Sequence, residues 1–399
     1  MTTTMTPNPA RGPLVIDEVE IIPLDIVPRM KRKISTGPLL YGDKGSWIGR
    51  PILMRISAGG VSGWGEVRPV NPWIGETAAS VFACLRDFYA PVLLGRDAMD
   101  IERVLRACHA KLPGNLAALE VTDFALHDLV GKALGVPAHA LLGGAQRDSI
   151  PLEWSVGLAD DKTMIDESVM AAEKHGIKYI CIKVGPEEKI EADANVVKQI
   201  RKALGPDVYL GIDANMGYTP VGAVQLAKRI EEVNLTYFEQ PVPPTHIDNL
   251  KWVYDRVNVS IIADESCYSP ADAARLCANG AADVMAVKFY KCGGLRRGRD
   301  IATIADSFGL RANVAGTANG SYLEAIAGAT LAAAIPNHAF GAEFVMGLPS
   351  IDVDPIVKNR PIDVKNGHCN LPAGPGFGAE IDMDQVKKLA LDRAVVRKS

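Results

Sequence analysis

Three acidic residues close apolar runs in succession along this chain: Asp213 in LGIDAN, Glu239 in YFEQP and Asp264 in IIADES. Carboxylates gathered at one place repel one another unless a cation neutralises them. An all-oxygen set with positions left for water or substrate suits Mg2+, with Mn2+ as a substitute. Taken singly, each acid has a plainer reading as the cap of the helix that follows its strand; three in a row favour the metal. Two lysines end similar runs, Lys183 in YICIKVG and Lys288 in VMAVKFYK. A lone lysine there more often lays its stem along apolar surface or binds phosphate. A pair flanking the acids offers different chemistry. A substrate carboxylate held at the metal presents its α-carbon to an amine on either face, the arrangement for two-base proton transfer. A proton beside a carboxylate is very weakly acidic, so the enediolate needs positive charge already in place. The lysine must be neutral to act as a base, and a nearby cation lowers its pKa toward the working range.

These residues need elements that bring them together. From about residue 150 the chain alternates short apolar runs with stretches of helical periodicity, the pattern of parallel βα units. Eight runs read as strands: 150–156, 179–185, 208–215, 236–241, 260–266, 284–290, 311–316 and 338–344. They fit a closed β/α barrel, which takes about 250 residues, better than an open doubly wound sheet, and no Gly-rich dinucleotide or phosphate-binding fingerprint follows any of them. Barrel active sites lie at the C-terminal strand ends. Lys183 closes strand two, the acids close strands three, four and five, and Lys288 closes strand six. Four strands apart in a ring of eight, the lysines face each other.

Residues 1–14 are polar and proline-bearing and read as a loose tail without the apolar stretch of a secretory signal. Alternating apolar residues near 15–22 and 53–66, then helical segments from about 76 to 135, predict an α+β domain over residues 15–145. The barrel occupies 146–350, and the Pro- and Gly-rich segment 351–399 is expected to return to the first domain. A net charge of −4 offers no basic field for nucleic acid, and no uninterrupted apolar run is long enough to span a membrane. Seven scattered cysteines without a CxxC pair argue against a disulfide framework or a zinc knuckle. The expectation is a cytoplasmic homo-oligomer acting on a small molecule, with no nucleic-acid or membrane partner.

Asp213, Glu239 and Asp264, with Lys183 and Lys288, resemble the site of the muconate-lactonizing subgroup of the enolase superfamily, in the mandelate racemase/muconate lactonizing enzyme family. GWGEVRP (63–69), HDLVGKALGVPAHALLGG (127–144) and KFYKCGGL (288–295) are similar to that family's recurring segments, and the likeness runs from about residue 15 to 385. The resemblance implies an α/β architecture, a modified (β/α)7β TIM-type barrel under an α+β capping domain, with Mg2+ in the barrel mouth. It also implies proton abstraction α to a carboxylate through an enediolate, leading to racemisation or epimerisation, to cycloisomerisation of the muconate type, or to dehydration. Mandelate-racemase-like members carry a histidine at the end of strand seven, where this chain reads RANVAGTAN. His338, at the start of strand eight, reads as a structural residue.

One departure stands out. Lysine is usual two positions before the strand-two base, and here that place is Cys181. Residues two apart on a strand share a face, so a cation that would help keep Lys183 neutral is missing. This tilts the reading toward racemase, epimerase and dehydratase members. By resemblance, Asn215 and Glu265 support the metal site and Glu324 matches a cycloisomerase glutamate; Asn215 and Glu265 serve equally as turn residues. Tyr41 and Trp73, in the loops 33–42 and 68–76, are candidates for covering the substrate, or for packing between domains. A metal-dependent scaffold without catalysis is the alternative of another class, which Cys181 permits and the intact acids and lysines argue against.

Overall fold

A computed structural model describes residues 12–27, 31–39, 42–70, 73–315, 322–343 and 354–398. Tyr41 and the segment 317–321 lie outside the described residues. The first strands, β1 (Ile16–Pro23), β2 (Ile52–Ala58) and β3 (Val61–Val67), form an antiparallel meander. β2 and β3 are joined by Gly59 and Gly60, whose φ values of +56° and +79° suit the tight two-residue hairpin turn that matches strand twist. Helix α1 (Leu116–Leu134) lies across β3 so closely that a Cβ on Gly63 would sit 2.2 Å from the Ala125 carbonyl oxygen. Glycine there is what lets the helix backbone reach the sheet. The other side of α1 meets the barrel, Phe124 packing edge-on against Phe289 at 5.1 Å. A helix covered on both sides is apolar nearly all round.

Seven parallel strands follow in simple order: β4 (Glu153–Val156), β5 (Tyr179–Lys183), β6 (Tyr209–Asp213), β7 (Tyr237–Glu239), β8 (Ser260–Ala263), β9 (Val284–Val287) and β10 (Arg311–Val314). Their side chains alternate between two cores. Ile180, Ile182, Leu210 and Ile212 pack outward under the helices, whereas Cys181, Tyr237, Ile262, Val284 and Ala286 fill the barrel interior.

The eighth position differs from the regular strand expected. His338–Glu343 closes the ring through single parallel bridges, Leu152 to Ala342 on one edge and Ala312 to His338 and Ala315 to Glu343 on the other. Phe340 has φ +56°, and a Cβ on Gly341 would lie 2.6 Å from the Leu152 carbonyl, so the backbone turns and presses against β4 instead of running as a ladder. The run expected at 150–156 also divides: Ser149–Pro151 pairs antiparallel with His368–Asn370, and only β4 joins the barrel.

The chain ends in β11 (Ala394–Arg397), antiparallel to β1 on the first domain. All seven cysteines are buried and unpaired. Among the described residues, no helix is long and apolar enough to cross a membrane.

Candidate active site

Register builds the site. Lys183 pairs with Asp213, and Asp213 pairs with Glu239, so the ends of β5, β6 and β7 form one row across three strands. Ile262 lies opposite Glu239, and Asp264, two residues on, points to the same side. Lys288 immediately follows β9. All five side chains are buried, the most exposed, Lys183, at 8%.

Each lysine holds a different carboxylate. Lys183 donates to Asp213, and Lys288 donates to Asp264 at 2.5 Å and lies 3.9 Å from Glu239. A third lysine, Lys291, also donates to the Asp264 carboxylate and, at 2.6 Å, to its main-chain oxygen. Burial, the largest single influence, pulls the ammonium groups of Lys183 and Lys288 toward neutrality. The surrounding acidic groups, led by Asp213 and Asp264 respectively and joined by Glu239 and Glu343, together outweigh it and hold both pKa values well above the ordinary lysine range. The carboxylates by themselves thus favour charged lysines, and a cation beside those carboxylates would work in the opposite direction.

Despite burial, Lys288 and Lys291 hold the Asp264 carboxyl below its ordinary range, whereas two neighbouring acids lack such compensation. Burial, then the charges of Asp213 and Asp264, raise the Glu239 carboxyl well above its ordinary value. Glu265 is pushed up to about 7 by burial and then by Asp264 and Asp213. Buried acceptors Asn215 Oδ1 and Glu265 Oε2 have no hydrogen-bond partner among the described residues. Crowded carboxylates with surplus oxygen acceptors fit a hard divalent cation that keeps some of its water. Asp213, Glu239 and Asp264 are the buried carboxylates that the ends of these strands supply.

The turns after the strands fix these acids. Asn215 donates to Asp213 from its main-chain N–H at 2.7 Å and from its side-chain amide at 3.0 Å, and its amide also reaches Glu265 at 3.1 Å. Gln240 Oε1 accepts the N–H groups of Asp264 and Ser266 at 2.9 and 3.1 Å. Asn215, Met216 and Gln240 have φ values of +41°, +68° and +32°, backbone strain concentrated where the strands hand over to the site.

Of the two loop aromatics, Trp73 reaches the site. Its indole N–H donates to Glu265 at 2.8 Å, its ring lies 5.3 Å from the Lys288 ammonium and stacks near Tyr290, and its carbonyl accepts the Tyr268 hydroxyl at 2.6 Å. Glu324, buried in helix α2 (Tyr322–Ala334), neighbours Glu120 on α1, whose carboxyl is raised first by burial and then by Glu324. His338 accepts the Val314 N–H through Nε2 at 3.3 Å, and burial, with Arg147 and Arg311 nearby, pushes its pKa down to about 3.

Sequence reasoning missed Lys291, Gln240, Glu343 and the Glu153–Tyr237 pair. Lys291 had a signal, since lysines three apart in KFYK share one face of a helical turn. Glu343 ends the irregular eighth segment, is 9% exposed and helps hold both lysines charged. Tyr237 donates to Glu153 at 2.5 Å across the barrel floor, its ring filling the space left by Gly211; nothing local in the sequence announces that pairing.

Residues 163–385 match a family described as enolase C-terminal domain-like, and residues 49–143 match the mandelate racemase/muconate lactonizing enzyme N-terminal domain. Muconate cycloisomerase 1 of Rhodococcus opacus is 34% identical over 346 residues, 86% of this chain and 91% of that protein. The L-Ala-D/L-Glu epimerase of Clostridium acetobutylicum is 33% identical over 261 residues, 65% of this chain and 72% of its own. Among solved structures, a dipeptide epimerase from Cytophaga hutchinsonii, in complex with Mg and the dipeptide D-Ala-L-Val, superposes with a TM-score of 0.85 at 25% identity, covering 96% of this chain and all of that one.

Proposed function

The chain belongs to the mandelate racemase/muconate lactonizing enzyme family of the enolase superfamily, and from that premise we propose that it is a Mg2+-dependent enzyme that moves the proton α to the carboxylate of a small organic acid. The observation that carries this reading is the division of labour between the lysines: Lys183 is bonded to Asp213 and Lys288 to Asp264, on strands four apart in the barrel. Asp213, Glu239 and Asp264 would hold the ion, and the charge it brings stabilises an enediolate. Freed from their carboxylates, Lys183 and Lys288 exchange a proton with the α-carbon from opposite faces. Asn215 and Gln240 hold the acids in place, and Trp73 covers the mouth and limits water.

Two-base geometry supports racemisation or epimerisation. Muconate-type cycloisomerisation is the second reading, favoured by the 34% identical relative that matches 86% of the chain. Mn2+ is proposed as a substitute metal, and seven buried, unpaired cysteines support a reducing, cytoplasmic setting. The test is incubation of the Mg2+-loaded protein with a carboxylate panel in D2O, read by mass spectrometry. Deuterium at the α-carbon is expected for at least one acid and is lost in EDTA. No exchange with any member, in protein shown to bind Mg2+, overturns the proposal.

A further inference from the structure

Cys181 stands one layer below Lys183 on the inner face of β5, 1% exposed, in the interior cluster with Tyr237 and Ala286. Its Sγ, a carboxylate oxygen of Asp213 and a carboxylate oxygen of Glu239 all lie within 4.8 Å of one another, and all three residues are buried. Among the described residues this is the one group of three metal-ligating side chains so close together. Asp264 is not part of it; its carboxylate is held by Lys288 and Lys291. The barrel therefore offers two overlapping donor sets. Asp213 and Glu239 with Asp264 are all oxygen; Asp213 and Glu239 with Cys181 mix oxygen and sulfur.

Hard Mg2+ gains nothing from sulfur, whereas Zn2+, Cd2+ and Co2+ bind thiolate strongly. We propose that Cys181, Asp213 and Glu239 form a site for a thiophilic divalent cation, which excludes Mg2+ because the two sites share two carboxylates. When the ion enters, the sulfur–hydrogen bond breaks, the metal–sulfur bond forms and the thiol proton passes to buffer, with no change of oxidation state. An ion drawn toward Cys181 sits away from Asp264 and Lys288. Zn2+ then acts as a competitive inhibitor against Mg2+. The inference rests on the reading of Asp213 and Glu239 as ion-binding carboxylates, but not on any turnover.

The experiment titrates the metal-free, full-length chain with Co2+ and records the near-ultraviolet sulfur-to-cobalt charge-transfer absorption. One equivalent is expected to develop the band in the wild type, excess Mg2+ to reduce it, and Cys181→Ser to lack it. Zn2+ affinity in Cys181→Ser should fall by at least the roughly 10–100-fold that losing a supporting contact costs a metal site. X-ray absorption at the zinc edge of the wild type needs no variant and should show a sulfur neighbour at about 2.3 Å. A first shell of nitrogen and oxygen alone, or a cobalt band unchanged in Cys181→Ser, overturns the inference. A sulfur band that Mg2+ leaves untouched overturns the shared site. Because these readouts follow the metal–sulfur bond, a protein that shows the band yet never exchanges an α-proton refutes the catalytic proposal alone.

Discussion

The indole N–H of Trp73 donates to Glu265 Oε1 at 2.8 Å, tying a loop of the first domain to the residue that follows Asp264 in the barrel. The same ring lies over the Lys288 ammonium. One side chain thus joins the cover to the proposed chemistry.

Trp73→Phe keeps a ring over Lys288 and removes only the donor to Glu265. A lost hydrogen bond of roughly 1–2 kcal/mol corresponds to about a five- to thirtyfold fall in kcat/KM. The ratios between substrates in a carboxylate panel should change, with the melting temperature nearly constant. Unchanged ratios together with a large drop in melting temperature would assign Trp73 to domain packing.

The surroundings of Glu239 oppose its charged form, through burial and then the charges of Asp213 and Asp264. Glu239→Gln removes that opposition and should raise the melting temperature of the metal-free chain, while lowering Mg2+ affinity at least roughly 100-fold and turnover with it. Asp213→Ala and Asp264→Ala should likewise abolish turnover, and EDTA should mimic them. Thermal melts with and without Mg2+ check both halves; full activity in the metal-free chain sinks the idea.

Lys183→Ala and Lys288→Ala should each block racemisation or epimerisation, yet each should still exchange the α-proton of one stereoisomer through the surviving amine. Lys291 competes with Lys288 for Asp264, whereas Cys181 offers Lys183 no comparable neighbour. Lys288 is therefore expected to deprotonate more readily, so exchange at a given pH should be faster in Lys183→Ala than in Lys288→Ala. Complete loss of exchange in Lys183→Ala, with full exchange in Lys288→Ala, reverses the assignment.

His338 is held neutral, its folded pKa pushed down to about 3 from an unfolded value of about 6.5. Between those values the unfolded chain binds more protons, so this group's contribution to stability is present above about pH 6.5 and is lost as pH falls toward 3. His338→Gln keeps an acceptor for the Val314 N–H and should flatten the pH dependence of stability by about one proton in that window. Denaturant midpoints measured at a series of pH values would show it, and an unchanged slope would mean that His338 does not stay neutral.

The chain order alone determined the outline of the barrel and the positions of Asp213, Glu239, Asp264, Lys183 and Lys288. Each sits at the end of a short apolar run, and the two-residue period of a strand fixes which face it takes, so the signal is local. The irregular eighth segment was not legible, because Phe340 and Gly341 interrupt the ladder only where they meet β4. Nor was the approach of Cys181 to Asp213 and Glu239, which depends on how strands from three separate units line up in depth. The placing of Glu324 beside Glu120 was not legible either, because it depends on the packing of α2 against the first domain. Trp73 and Glu265 are 192 positions apart, and no periodicity relates residues so distant. Only the closure of one domain over the other brings an indole donor to a buried carboxylate, and that contact forms because an unpaired buried acceptor is costly wherever a donor can reach it.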